Sequence, residues 1–386
     1  MANTYLNRAF SSGSVGTIAT WSFWIKRSLI GSPAQFIFQT RDASNNNFRT
    51  YFRFGSTDTF DMFAYNSSGT QIVDLRTSRV FRDTSAWYHI VVAVNTTISA
   101  TPSDRIKFYV NGVQETSFGT ATYPTHNLDI RKVSSVYTGW GQNIPGNDNY
   151  LDGSMSHINF IDGTAYDATA FGEYDANGVW TINTSPSVTY GTNGFFILKN
   201  GNSVTDQSGN SNDWTVGGGT LTNTEDSPSN VFATFNPLDV NAGTVTTFSN
   251  GNTTVMHNAG SSGSTTAARS TLAYSAGKFY WETKCIATGG DVRTGIISMS
   301  STDYNTQTNP FTLNECYNYK QNGDKGSSGD TNSAYGATYT AGDIIGIAHD
   351  VSAGTLIFYK NGVSQGTAFT GLSTSLFWGA FSSEYN

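Results

Sequence analysis

Charge is what this 386-residue sequence has least of. Lys, Arg, Asp and Glu make up only 13% of it, about half the roughly 25% of an ordinary soluble domain. The net charge is −7 and the pI is near 5.1, and no stretch gathers Lys and Arg. The clustered cations that a nucleic-acid partner requires are therefore missing. No apolar run approaches the length of a membrane span, and the N-terminus lacks the charged-then-apolar pattern of a signal peptide. Those two absences predict no membrane partner and a chain made and folded in a cytoplasm. Cysteine is nearly absent too. Cys285 and Cys316 cannot build a disulfide framework; one bond between them stays open, and two reduced, half-buried thiols fit better. Helical periodicity is also scarce, and only "DATAFG" at residues 167–172 could make a turn or so of helix.

What fills the space is Gly (40 residues), Ser, Thr, Asn and 14% aromatics. That mixture suits a β-rich protein with many turns and a hydroxyl- and amide-rich surface, and its aromatic content argues against disorder. The readable elements are strands: "TWSFWIKRS" from Thr20, "AQFIFQT", "NFRTYFRFG" and "TFDMFAYN" alternate apolar and polar residues between turn signals. "AWYHIVVAVN" (86–95) is near-continuously apolar, as a strand buried on both faces would be. The phrase "IKFYVNGV" around Asn111 then recurs as "LIFYKNGV" around Asn361. Asn-Gly between hydrophobic runs is a strong signal for a two-residue hairpin. It predicts Phe108 and Phe358 on one strand face, with Tyr109 and Tyr359 on the other.

The order of elements repeats as well. In the second half "AGKFYWETKC", the buried "GDIIGIAHD" and then "TLIFYKNGVSQGTAF" follow the first half's sequence of strand, buried strand and Asn-Gly hairpin. The chain reads as all-β, two β-sandwiches of jelly-roll type in tandem. "TNTEDSPSNVFATFNPLD", with Pro228 and Pro237, reads as the connection, giving domains at 1–235 and 236–386. "NAGSSGSTTAARS" (258–270) reads as a flexible polar loop inside the second domain.

The first half, over roughly residues 4–215, resembles a concanavalin A-like (laminin G-type) jelly roll. The resemblance rests on "WSFWIKR", "WYHIVVAV", "FYVNG" and "LDGSMSHINFIDGTAY" in that order. "DQSGNSNDW" (206–214) resembles a stretch usually found near the start of such domains, so the first strand of the sandwich is expected from the C-terminal side. The second half resembles a SPRY-type sandwich through "GKFYWETK", "TGIIS", "AGDIIGIAHD" and "LIFYKNGVSQGTAF". That family would normally add a strand after "LFWGAFSSEYN", which implies an edge closed differently or completed by another chain. The pairing of the two domains, with the segments between them, is similar to structural proteins of marine tailed bacteriophages. It implies a virion protein, a tail-fibre component or capsid decoration, present in many copies or as a homo-oligomer. Folding is expected to begin almost at Met1, without an anchoring arm. That implies attachment to other capsid or tail subunits through the second domain and its open edge.

Concanavalin-like glycoside hydrolases need facing carboxylates, often as E-x-D-x-x-E on one strand. The nearest pair, Glu173 and Asp175, reads as a solvated turn. There is no G-x-S-x-G elbow, and "GSSGS" at Gly260 is linker-like. No H-E-x-x-H or Cys/His cluster occurs among the five histidines, and no Gly-rich loop precedes a helix. His89 and His349, in or at the end of buried strands, read as hydrogen-bonded structural residues. No catalytic residue and no obligatory cofactor is expected. Calcium is the one metal to weigh, with Asp206, Asn210 and Asp213 as its oxygen ligands, and further ones from Asp148 and Asn149. Asx residues also fill turns for conformational reasons alone, and that reading is preferred. Carbohydrate recognition needs an aromatic platform beside amides and carboxylates. "YTGWGQNIPGNDNY" has that composition, with Trp140, Asn143, Asp148 and Asn149, and Trp180 is a second candidate. Whether Trp140 is exposed or folded back onto the core stays open. The reading is a non-enzymatic, adhesive virion surface protein whose first domain binds a host glycan and whose second binds protein. The alternatives are a polysaccharide hydrolase and a purely structural cement protein.

Overall fold

The computed structural model describes residues 3–10, 16–44, 46–131, 136–144, 146, 148–241, 245–258, 265–300, 304, 309, 311 and 315–385. The chain forms two compact units, Met1–Phe232 and Ala233–Asn386, each built, among the described residues, from β-strands with only short 3-10 turns. One of these turns, Ala168–Ala170, is the expected helical turn. Asp167 caps it, accepting from the Thr169 amide at 2.9 Å.

In the first unit an eight-stranded antiparallel sheet faces a six-stranded one. The eight run, in spatial order, Phe118–Thr122, Gln71–Val80, Thr59–Tyr65, Arg49–Phe54, Gln35–Asp42, Val136–Trp140, Tyr5–Phe10 and Thr215–Gly218. The last strand pairs with Tyr5–Phe10, so the C-terminal side of the domain does supply an edge strand next to the first one. The six run Phe195–Ile197, Gly153–Asp162, Ile18–Arg27, Tyr88–Asn95, Ile106–Val110 and Val113–Glu115. Their facing sides interdigitate in one core, with Trp21, Phe23, Ile90 and Val92 from one sheet against Phe38, Phe52, Phe60 and Met62 from the other. The alternation of Ile18–Arg27 suggests one wet face, yet nine of its ten residues are buried. The reason is a second layer. Tyr166, Phe171, Trp180, Val188 and Tyr190, from the segment after Gly153–Asp162, pack over Val91 and Ile161 on the outside of the six-stranded sheet.

The second unit pairs a four-stranded sheet (Lys278–Lys284, Ile344–Asp350, Thr355–Lys360, Val363–Phe369) with a seven-stranded one. Two expectations fail here. Thr265–Tyr274 is a strand with six buried residues at its start, because Thr and Ala are small enough to lie in a sheet interior; only residues 259–264 of the expected loop, with "GSSGS", lie outside the described residues. The closing strand Trp378–Tyr385 is central, flanked by Thr265–Tyr274 and Asp291–Ser298, so its backbone groups are taken on both sides and it offers no open edge. Cys285 and Cys316 are free and both buried rather than half-buried.

The repeated phrase has one structural meaning. Asn111 and Gly112 have φ of 48° and 81°, Asn361 and Gly362 of 51° and 79°, as a type I′ turn requires. Each asparagine also grips the neighbouring buried strand. Asn111 donates its amide to the His89 carbonyl (2.9 Å) and accepts from the His89 amide through Oδ1 (2.8 Å). Asn361 does the same with Ile344, at 2.8 Å for both bonds. Phe108 and Phe358 enter their cores, while Tyr109 and Tyr359 sit on the opposite faces. Replacing either asparagine by alanine removes a residue tolerant of left-handed backbone and strips an amide of its acceptor. Asn111→Ala and Asn361→Ala are each expected to cost about 2 kcal/mol, read as a lowered urea midpoint at unchanged slope.

Candidate functional site

With the outside of the six-stranded sheet covered, the outer face of the eight-stranded sheet is the first domain's large open surface. The sequence builds this face by simple alternation. In "RTYFRF" Arg49, Tyr51 and Arg53 point outward, and Phe52 and Phe54 enter the core. In "TFDMFAY" Asp61, Phe63 and Tyr65 do the same. Register then assembles rows across the strands. Arg76, Asp61, Arg53 and Phe36 form one row; Asp74, Phe63, Tyr51, Gln39 and Gly139 the next; Tyr65, Arg49, Arg41 and Tyr137 the third.

The middle of the face is an aromatic floor. Phe36, Tyr51 and Phe63 cluster with Tyr65, the Tyr51 ring standing 5.0 Å from both Phe36 and Phe63. Arginines lie over the rings, with Arg49 4.0 Å from the centre of Tyr65, Arg53 4.8 Å from that of Phe63 and Arg41 5.2 Å from that of Tyr137. Loop residues after Trp140 fold onto this surface and make a wall. Gln39 holds the loop with both ends of its amide, donating to the Ile144 carbonyl (2.7 Å) and accepting from the Ile144 amide (2.9 Å). Gly139 lies close beneath it, where a Cβ would come within 2.7 Å of the Ile144 Cδ1 and push that side chain aside. Between wall and floor runs a groove of about 250 Å³ lined by Phe36, Gln39, Asn46, Arg49, Tyr51, Asn143 and Ile144. Pockets that enclose a whole small molecule measure about 300–1,000 Å³, so this groove is smaller than those.

The expected site residues are not gathered in one place. Trp140 is 1% exposed and lies in the core, its ring 4.7 Å from Phe38 and 5.4 Å from Phe23. It shares a strand with the outward-facing Tyr137 but has the opposite parity, which excludes it as a platform. Trp180 is on the far side of the domain, where its indole N–H donates to His89 Nδ1 at 3.0 Å. His89 is fully buried, its ring stacked between Trp24 and Trp180, with Nε2 2.9 Å from the Ser22 hydroxyl. Burial drives its pKa down to about 3. His349 is likewise buried, with Nδ1 3.1 Å from the Tyr274 hydroxyl. Only the loop trio belongs to the groove's neighbourhood. Asn143 lines it, and Asp148 Oδ1 accepts from the side-chain amides of Asn143 (2.7 Å) and Asn149 (3.1 Å). The aromatic-arginine floor was missed. Its signal was present in the strict alternation of Arg49, Tyr51, Arg53 and of Asp61, Phe63, Tyr65.

The oxygens weighed for calcium are engaged in turns. Asp206, 8% exposed, accepts from the amides of Phe196 (2.8 Å), Ser208 (2.9 Å) and Asn212 (2.8 Å) and from the Ser208 hydroxyl (2.7 Å). Asp213 accepts from the Asp206 amide, and Asn210 turns its N–H to the carbonyls of Gly191 and Gly194. Among the described residues no group of three or more His, Cys, Asp or Glu side chains could hold a metal ion. Asp206→Ala is expected to cost about 3 kcal/mol by stranding several amides. The wild-type melting temperature should not move when EDTA or millimolar calcium is added.

The carboxylates of the open face are clamped as well. Asp61 is 2% exposed between Thr59 (2.7 Å) and Arg53 (3.1 Å), and burial raises its pKa above the ordinary aspartate value. Asp74 receives Nε and Nη2 of Arg76 at 2.8 and 2.9 Å. Glu173 and Asp175 lie on an exposed hairpin across the sandwich, where Asp175 accepts from the amides of Asn177 and Val179. The groups left on this face are ring faces, amides and guanidinium donors.

Comparison with known proteins agrees with this architecture. Residues 4–169 match the family model of the concanavalin A-like lectin/glucanases superfamily, and residues 278–386 match that of the SPRY domain. The chain therefore shows a concanavalin A-like domain followed by a SPRY domain. Ran-binding protein 9 of Xenopus tropicalis is 39% identical over 105 residues, 26% of this chain and 18% of that protein. The Ran-binding proteins 9/10 homolog of Drosophila melanogaster is 33% identical over 106 residues, 27% of this chain and 11% of that protein. The chain thus spans less than a fifth of the length of these curated relatives. Among solved structures, the SPRY domain of human HERC1 aligns at 19% identity and a TM-score of 0.32, covering 39% of this chain and 90% of that one. A heptameric SAP-like pentraxin from Limulus polyphemus aligns at 16% and 0.32, covering 43% and 72%.

Proposed function

We propose that this chain is a non-enzymatic adhesion protein whose first domain binds a glycan in the groove on its eight-stranded sheet. The observation that carries this reading is the groove over Phe36 and Tyr51, rings that are themselves only 8% and 9% exposed, walled by the Asn143 loop and edged by the polar side chains of Gln39, Asn143 and Arg49. An aromatic ring beside polar groups offers one apolar and one hydrogen-bonding surface, the two that a sugar ring presents in turn. The second domain is assigned a protein partner. The chain's likeness to Ran-binding proteins over 105 residues supports a docking role. The setting proposed for both is the surface of a tailed-phage virion, as tail-fibre component or capsid decoration, in many copies. That setting is supported by the resemblance of the linking segments to phage structural proteins and by the low-charge, hydroxyl-rich composition.

The test is a glycan array of algal and bacterial polysaccharides probed with the full chain, followed by incubation of any ligand to look for cleavage. Retention of at least one glycan without shortening is expected. Cleavage would reinstate the hydrolase alternative, and no retention on a broad array would favour the cement protein.

A further inference from the structure

The face carries four arginines, and they are not equivalent. Arg53 is paired with Asp61 at 3.1 Å and Arg76 with Asp74 at 2.8 Å. Arg41 and Arg49 have no carboxylate partner in any ion pair of the described residues, yet they stand directly opposite each other on adjacent strands. Like charges at such paired positions sit about 5 Å apart at Cβ and repel. The fold nevertheless locks them in place. Arg49 is stacked on Tyr65 and Arg41 on Tyr137, and both send Nη1 to Asn46, Arg41 to its side-chain oxygen and Arg49 to its carbonyl at 3.1 Å. Nε of Arg41 is buried with no hydrogen-bond partner. A guanidinium offers five donors in a rigid fork suited to planar oxyanions, and these two leave most of theirs unused. They form a preorganised dication at the edge of the groove, which Arg49 lines and Arg41 neighbours, on a protein whose net charge is −7.

Resting on the glycan-binding reading above, we propose that the groove selects an acidic polysaccharide, with Arg41 and Arg49 receiving its carboxylate or sulfate groups while the sugar ring lies on the Tyr51 floor. The repulsion between the two cations is relieved when an oxyanion bridges them. Two unpaired arginines match a charge spaced along a sugar chain; a nucleic-acid strand would ask for many phosphate contacts.

The experiment is titration calorimetry of the full chain with three oligosaccharides of equal length: an alginate uronate, a sulfated carrageenan and neutral agarose. The same titrations are run on Arg41→Gln and Arg49→Gln. Wild type should bind at least one acidic oligosaccharide at least tenfold more tightly than the neutral one, the two acidic probes separating carboxylate from sulfate. Each variant should lose most of that preference while keeping its affinity for agarose within about twofold. Relief of the repulsion should leave both variants melting no lower than wild type. Equal affinity for acidic and neutral chains, unaffected by either substitution, would overturn the acidic specificity and leave glycan binding standing. Failure to bind any oligosaccharide, with the glycan array also blank, would overturn both.

Discussion

Trp140→Ala should unfold the first domain more readily by about 3–5 kcal/mol, the cost of emptying a large buried aromatic site. For a domain of this size that is a fall of about 10 °C in melting temperature. The ring is 1% exposed and wedged between Phe23 and Phe38, so nothing solvent-facing is lost. Trp140→Phe should be far milder, under about 1.5 kcal/mol, since the indole N–H is buried without a partner and its removal relieves that penalty. At temperatures where both variants remain folded, glycan affinity should be unchanged. A platform tryptophan would show the reverse pattern, full stability with binding lost. Thermal melts beside calorimetric titrations at 15 °C separate the two.

Acid should destabilise the protein from pH 6.5 downward, well before its carboxylates titrate. In the first domain burial lowers the pKa of His89 to about 3 and of His157 to about 4; in the second, His349 is also lowered to about 4. Unfolded, each titrates near 6.5. Below that value the unfolded chain takes up protons that the folded chain refuses, so stability falls as the pH drops, until each folded pKa is reached. Each group contributes about 1.4 kcal/mol per pH unit. His89 and His157 together remove about 5 kcal/mol between pH 6.5 and 4.5, a large share of the roughly 5–15 kcal/mol available to a domain. At His89 the chemistry is unforgiving. A proton on Nδ1 would face the indole N–H of Trp180, which now donates to that nitrogen. Asp61, its pKa raised by burial, acts in the opposite sense only near and below its own titration. Melting curves across pH 7.5 to 4.5 should show a decline beginning near 6.5. A flat profile down to pH 4 would contradict the neutral, buried histidines.

The sandwiches were legible because their signals are local. An Asn-Gly pair specifies a I′ turn by its own backbone preferences, and "WYHIVVAV" announces a strand covered on both faces. The aromatic and arginine face was not legible as a unit, because it is made by register. Arg41, Arg49, Tyr65 and Tyr137 are dispersed along the sequence and meet only when four strands align. Trp140 misled for a related reason. Its glycine neighbours suggested a loop, but Val136–Trp140 is a strand, and parity sends the tryptophan inward and Tyr137 outward. The glycine at 139 marks instead where the Ile144 loop presses on the sheet. Trp180 reads as an exposed ring in a Gly-rich stretch, and only the layer over the six-stranded sheet reveals it as a cap on His89. The closing strand Trp378–Tyr385 could be recognised from sequence, but its central place in the sheet depends on the distant strand Thr265–Tyr274.

The account turns on the outer face of the eight-stranded sheet being where a sugar binds. A crystal structure of the chain with the tightest glycan from the array tests this most directly. Sugar density is expected in the groove, with a ring over Tyr51 and polar contacts to Arg49 and Asn143. Density beside Trp180 on the opposite face, or on the second domain, would contradict it.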